Sequence, residues 1–314
     1  MKRVFRVPSV RVFSVVRFAA IALAATTGWL LAGQLSQPTQ ADEQPAATRT
    51  RPARAAGETQ LLAFNQATAA KSPKGTGAVS GVVTLSGAAP TLAPLVKKGD
   101  ANAKDAAVCA AETVPNESVV VGADNGLANV FIYLVRAPAG HKADAVPKDP
   151  IVFDQKGCRF LPHSLLVRVG QTVLVKSGDP IAHNTHTVTV RGTPFNQAIK
   201  ADDRVGTPLI YDKPEKLPCE VKCDLHSWMK AYHLVLDHPF MAVTDADGKF
   251  QIAGLPPGKH KFVVWHEKVG YVNRDYEVEI KADGTTDVKL AVPAAKMAAF
   301  NGPAPRSIVV SAAD

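Results

Sequence analysis

The chain has 314 residues, 46% of them hydrophobic, four Cys and a formal net charge of +8. Ten of the 36 Lys/Arg and three of the 28 Asp/Glu lie before residue 75, so the positive excess belongs to the N-terminal part and the rest is close to neutral. That distribution speaks against a clustered basic face for nucleic acid, and four Cys exclude a dense disulfide framework.

Residues 1–17 carry five basic side chains and no acid, and an apolar run of sixteen residues follows from Phe18 to Gly33. With Thr39-Gln40-Ala41 as a small-residue cleavage site, residues 1–41 read as a signal peptide. The apolar run is short for a membrane span, which needs about 20 residues. An uncleaved anchor is the alternative, and the one route by which the chain would be membrane-bound. The expected location is periplasmic or extracellular. Residues 42–74 are rich in Ala, Thr, Gln, Pro and Arg without periodicity, and read as a disordered linker.

From residue 75 the pattern turns to short strands. In 75–149, strands are expected at 79–85, 117–121 and 128–135, the last two separated by the turn Gly122-Ala123-Asp124-Asn125-Gly126. In 150–237, 164–169 and 172–176 read as two strands about the tight turn Gly170-Gln171. Residues 186–190 and 230–236 read as two more. In 238–292, residues 242–252 read as a hairpin on Asp247-Gly248. Strands then follow at 261–265, 276–280 and 286–290. Residues 293–314 read as a flexible tail. Helical periodicity is scarce, so the expected class is all-β, as a sandwich or barrel.

Chemistry concentrates in Cys223-Asp224-Leu225-His226-Ser227-Trp228-Met229. Thiolate, imidazole and thioether at this spacing suit copper: a trigonal His2Cys site with a weak axial Met is the blue-copper arrangement. The missing imidazole is found 40 residues upstream of Cys223, at His183 in Ala182-His183-Asn184-Thr185-His186. Zinc prefers Cys and His without Met. Taken alone, Cys-x2-His-x2-Met is also compatible with a structural thiol. Cys219 sits four residues before Cys223, about 13 Å away on an extended strand, too far for a disulfide. It reads as a free or weakly paired thiol, and whether it binds metal is left open. Cys109 and Cys158 remain, and a disulfide between them is expected. His186 falls on the opposite strand face from His183. His163, His186 and His233 are candidate ligands for a second metal, or packing residues. Trp228 is either a shield at the metal edge or plain packing. No G-x-S-x-G or catalytic carboxylate pair occurs, so no hydrolase, and no enzyme, is expected.

Residues 151–237 resemble the cupredoxins. The likeness rests on Phe160-Leu161-Pro162, Val169-Gly170-Gln171-Thr172-Val173, His183-Asn184-x-His186 and Cys223-x2-His226-x2-Met229. The ligand loop is most similar to those of amicyanin and pseudoazurin. The resemblance implies a Greek-key β-sandwich with one type 1 copper held by His183, Cys223, His226 and Met229. Asn184 would sit behind the ligands and tie their two loops together. Cys219-x3-Cys223 is similar to the binuclear CuA motif, but the loop to the His is one residue short. Residues 75–135 and 238–292 resemble the carboxypeptidase regulatory-like domain, a transthyretin-like, carbohydrate-binding-like sandwich. The quoted residues are Gly77-Ala78-Val79-Ser80-Gly81, Thr244-Asp245-Ala246-Asp247-Gly248-x-Phe250 and Gly254-Leu255-Pro256-Pro257-Gly258. The cupredoxin unit (150–237) would then be inserted between the two parts (75–149 and 238–292), or simply follow the first in series.

The expected function is an exported mononuclear blue-copper electron carrier, with a c-type cytochrome as the sort of redox partner implied. Two alternatives stay open. One is a binding module for envelope polysaccharide with a structural or copper-storing cupredoxin domain. The other is a CuA-like or two-copper redox enzyme component.

Overall fold

The computed structural model describes residues 72–298. The expectations for 1–41, for nearly all of the linker and for 299–314 fall outside the described residues. Within 72–298 strands carry nearly all the regular structure, and the fold is all-β. The strands are β1 (Gly77–Ser86), β2 (Phe131–Tyr133), β3 (Ile151–Gln155), β4 (Phe160–Leu161), β5 (Ser164–Arg168), β6 (Thr172–Ser177), β7 (His183–Val188) and β8 (Asn196–Ile199). They continue with β9 (Thr207–Ile210), β10 (Cys219–Lys222), β11 (Lys230–Leu236), β12 (Met241–Val243), β13 (Lys249–Leu255), β14 (Gly258–His266), β15 (Gly270–Ile280) and β16 (Thr285–Pro293). Two short helices accompany them, α1 (Ala106–Cys109) and α2 (Ala294–Ala298). Among the described residues no helix is long and apolar enough to cross a membrane.

Four sheets form, in the orders β13-β1-β16, β12-β2-β14-β15, β5-β11-β10-β7-β8 and β4-β3-β6-β9. The first two draw only on residues before 134 and after 240, and the last two only on residues between 151 and 236. The chain leaves one pair of sheets after β2, builds the other pair, and re-enters beside β2, where Met241, Ala242 and Val243 pair with Tyr133, Ile132 and Phe131.

Three cores follow from the two-residue side-chain period of strands. In the outer pair, Ile132, Ala242, Phe262 and Val264 point inward to meet Val79, Val83, Ile252 and Leu290. In the inner pair, Ala231, Val235, Val221 and Leu165 meet Phe153, Val173, Val175 and Leu209. Their alternate neighbours make the third core: Tyr232, Leu234 and Leu236 of β11 pack with Phe131, Tyr133, Met241, Val243, Val263 and Trp265. Strand β11 of the inner pair and β2, β12 and β14 of the outer pair are thus apolar on both faces. Alternating polar residues are what a one-sided strand would carry. Lys230 is the only exposed residue of β11, and its other six are buried.

The long connection between β1 and β2 reaches over one end of the inner sandwich. A bridge between Val96 and Val114 closes its base. Val96, Cys109, Ala110 and Val114 are all buried in the inner core. A disulfide joins Cys109 to Cys158, with Cα atoms 5.3 Å apart.

Several expectations are corrected. Residues 117–121 do not form a strand; only Val121 bridges, to Leu127. The run has the β-branched composition, but a strand also needs a partner, and both edges of β2 are already taken by β12 and β14. The strand expected at 128–135 shrinks to β2, because Asn129 adopts a left-handed backbone (φ 62°). The two strands expected about Gly170 are present as β5 and β6, and they go to different sheets of the inner pair. The Asp-Gly turn is present, with the Gly248 N–H donating to the Asp245 carbonyl at 3.0 Å. Yet β12 and β13 also separate into different sheets. Gly248 is required there twice over, by φ +76° and because a Cβ would lie 2.2 Å from the Val83 carbonyl oxygen. The expected tail from 293 begins as ordered structure, since β16 runs through Pro293 and Met297 of α2 is buried in the outer core.

Candidate metal centre

Three ligand atoms meet at the end of the inner sandwich. His183 opens β7, and Cys223 follows β10 directly. His226 lies in the tight loop between β10 and β11. All three are fully or almost fully buried. The Nδ1 atoms of His183 and His226 are 3.0 Å apart, and Cys223 Sγ is 3.7 Å from His226 Nδ1. Met229 is brought to the same place by the loop's own hydrogen bonds. Its N–H donates to the His226 carbonyl at 2.9 Å, and its carbonyl accepts from the Cys223 N–H at 3.2 Å. Its side chain is buried in the same core as Cys223.

The far nitrogens explain why the near ones face inward. His183 Nε2 lies 3.0 Å from the Asp179 carboxylate, and His226 Nε2 lies 2.9 Å from that of Asp105. A carboxylate can only accept, so each Nε2 carries a proton and each Nδ1 directs its lone pair to the centre. The Nδ1–Nδ1 hydrogen bond then requires one extra proton. Charge locates it on His183. Burial opposes that charge, but Asp179 and the Cys223 sulfur outweigh burial and hold the imidazole up at about 9. At His226 burial wins over the pull of Asp105, with the charge of His183 adding to it, and the imidazole is shifted down. Cys223 is lowered: burial resists the thiolate, but His183 and the backbone N–H groups of Asn184, His226 and Leu225 more than offset it. A cysteine sulfur that gives up its proton more readily than an ordinary thiol, with two inward Nδ1 atoms bracketing a proton, is a donor set that fits a soft or borderline cation. Binding would release that proton.

Asn184 ties the two loops. Its N–H donates to Cys223 Sγ at 3.4 Å, and its Oδ1 accepts the Asp224 N–H at 2.6 Å. Its Nδ2 donates to Asp224 and Asn196, both at 2.9 Å. Trp228 packs edge-on against His226 and donates its indole N–H to the Cys158 carbonyl at 3.1 Å.

The remaining candidates lie elsewhere. Cys219 faces Tyr211 and the His233 carbonyl and is not among the converging ligands. His233 is buried with its Nδ1 on the Tyr211 hydroxyl at 2.7 Å. His186 points away to Asp224 at 2.9 Å. His163 pairs with Glu267 at 2.5 Å, on the rim of a cavity that Trp228 and Met229 also line. The sequence reading missed both carboxylates behind the imidazoles. Asp179 had a signal, an acid four residues before the His. Asp105, 121 residues from His226, had none.

No known family and no curated protein matches the chain. Among solved structures, similar ones include a purple cupredoxin from Nitrosopumilus maritimus, at 19% identity and TM-score 0.23, covering 27% of this chain and 97% of that one. An oxidised amicyanin variant is similar at 20% identity and TM-score 0.24, over 33% of this chain and 90% of that one. A copper-containing nitrite reductase from Thermus scotoductus SA-01 is similar at 23% identity and TM-score 0.26, over 31% of this chain. The chain spans only 25% of the length of that reductase. None of these three likenesses is to a carboxypeptidase regulatory-like domain.

Proposed function

We propose that the chain is an exported mononuclear blue-copper protein that passes single electrons between redox partners, with residues 150–237 as the copper domain. The observation that carries this reading is the buried convergence of Cys223 Sγ with two Nδ1 atoms whose Nε2 protons are fixed outward by Asp179 and Asp105. His183, Cys223 and His226 would hold the metal, with Met229 as a weak fourth ligand. When bound, copper supplies the one-electron couple. The residues of the chain do the rest: they bury the donors, fix their tautomers and hold the thiolate in place. A fixed donor set needs little rearrangement between two oxidation states, which is what an electron carrier requires. A c-type cytochrome in the periplasm is the kind of partner this reading implies, and the outer sandwich would position the copper domain.

Visible and EPR spectra of the Cu(II)-loaded chain test the reading. One copper per chain, an intense blue band and a narrow four-line hyperfine pattern are expected. A seven-line pattern would instead indicate a binuclear centre, and a colourless protein would overturn the proposal.

A further inference from the structure

The loop that brings Asp105 to the metal centre belongs to the outer sandwich, outside the cupredoxin-like stretch altogether. It leaves that sandwich after β1 and is pinned at its base by Val96 and Val114. It is stapled to the inner sandwich by Cys109–Cys158. Asp105 immediately precedes α1, and its carbonyl accepts the N–H groups of Val108 and Cys109, both at 2.9 Å. Its backbone is left-handed, φ 52° and ψ 45°, uncommon outside Gly, Asn and Asp. The staple and the turn thus set the carboxylate in one place, 2.9 Å from His226 Nε2. Among the described residues Asp105 is what meets that nitrogen, and the imidazole has no exposed surface.

We propose that the outer sandwich completes the copper centre: Asp105 is a positioning residue that orients His226, slows copper loss and favours the oxidised metal. The inference rests on the blue-copper reading. Its physical basis is that a carboxylate accepting the outer N–H of a ligand imidazole fixes the ring and makes it a better donor, an arrangement whose removal typically costs 10–100-fold in metal affinity. A nearby negative charge also stabilises Cu(II) over Cu(I), since the oxidised centre carries one more positive charge. With Asp179 behind His183, both imidazoles are backed by carboxylates, and the Asp105 contribution comes from a segment that an isolated copper domain would lack.

The test uses the full chain as wild type, Asp105→Asn and Asp100→Asn. Asn keeps the size of Asp and tolerates the left-handed backbone, so the fold should survive. The carboxylate of Asp100, on the same loop, accepts the nearby Asn102 N–H at 3.0 Å and serves as the control. Transfer of Cu(II) to excess EDTA is followed by loss of the blue band, and the reduction potential is measured by spectroelectrochemical titration. Asp105→Asn should lose copper about 10-fold faster or more. If the variant weakens Cu(II) about tenfold relative to Cu(I), its potential rises by about 59 mV. Asp100→Asn should match wild type on both. A purely structural role would not move the potential. Blue wild-type protein with Asp105→Asn indistinguishable from it in release and potential overturns this inference alone. Wild-type protein without a blue site overturns it together with the proposed function.

Discussion

The two ends of β10 each hold a cysteine beside a histidine, and they behave in opposite ways. At Cys219 the neighbours are Tyr211 and the His233 carbonyl, all buried in a layer with no cation. Burial alone then dominates, pushing the Cys219 thiol up to about 12 and the His233 imidazole down to about 3. Four residues on, Cys223 is buried too, yet its thiol is lowered because His183 and three backbone N–H groups face it and outweigh burial. The difference lies in what backs each imidazole: the Asp179 carboxylate keeps His183 charged, whereas His233 meets the neutral Tyr211 hydroxyl. Burial depth alone does not set the charge of a side chain; the groups placed behind it do.

That contrast can be broken most directly by exchanging the thiols for hydroxyls. Cys223→Ser should abolish the blue band of the copper-loaded protein, while Cys219→Ser should keep it. Colour lost from the Cys219 variant and retained by the Cys223 variant would reverse the assignment.

The next largest effect concerns the cover over the Cys223 end. Replacing both Cys109 and Cys158 by Ser opens a closed loop of 49 residues' separation. It should cost about 4 kcal/mol in urea unfolding of the metal-free protein. A loss under about 1 kcal/mol would mean that the loop is held by its apolar contacts instead.

Both ends should be acid-sensitive, since His226 is lowered as well, and His233 at the Cys219 end carries the strongly depressed value. His233 stays neutral in the folded chain down to about 3 and titrates near 6.5 when unfolded. Its contribution is therefore complete above pH 6.5 and is lost at about 1.4 kcal/mol per pH unit as pH falls toward its folded value. Buried His266, lowered to about 4, acts in the same direction. His183, with its raised value, is protonated in both states below pH 6.5 and adds no slope there. Urea midpoints of the metal-free protein that stay flat from pH 7 to 4 would contradict this.

Smaller still is Tyr211→Phe, which strands the His233 Nδ1 in the core. It should cost about 1–3 kcal/mol and leave the visible spectrum unchanged. Lys230→Ala removes a surface pair with Glu220 at 3.2 Å. It should change stability by less than about 1 kcal/mol.

What the sequence disclosed, and what it withheld, follows from the range of each interaction. Strands such as β1, β11 and β14 were legible because alternation and β-branched composition are local properties. Which strand pairs with which was not: the turns at Gly170 and Gly248 have hairpin chemistry, yet their strands part into different sheets. The run at 117–121 failed for the same reason, having strand residues while both edges of β2, its expected neighbour, are held by β12 and β14. At the candidate site, the ligand types of Cys223 to Met229 could be named from seven consecutive residues. Asp105 could not, because its link to His226 exists only after two sandwiches have packed.

The third core also has a consequence for anyone cutting this molecule apart. Tyr232, Leu234 and Leu236 pack against the β12-β2-β14-β15 sheet of the outer pair. A fragment limited to residues 150–237 would carry an oily, flat sheet face into water, the kind of surface on which chains stick to one another. The stretch 150–237 is therefore not portable as it stands. Moving it to another scaffold would require repainting that face with polar side chains and finding a substitute for the loop that supplies Asp105.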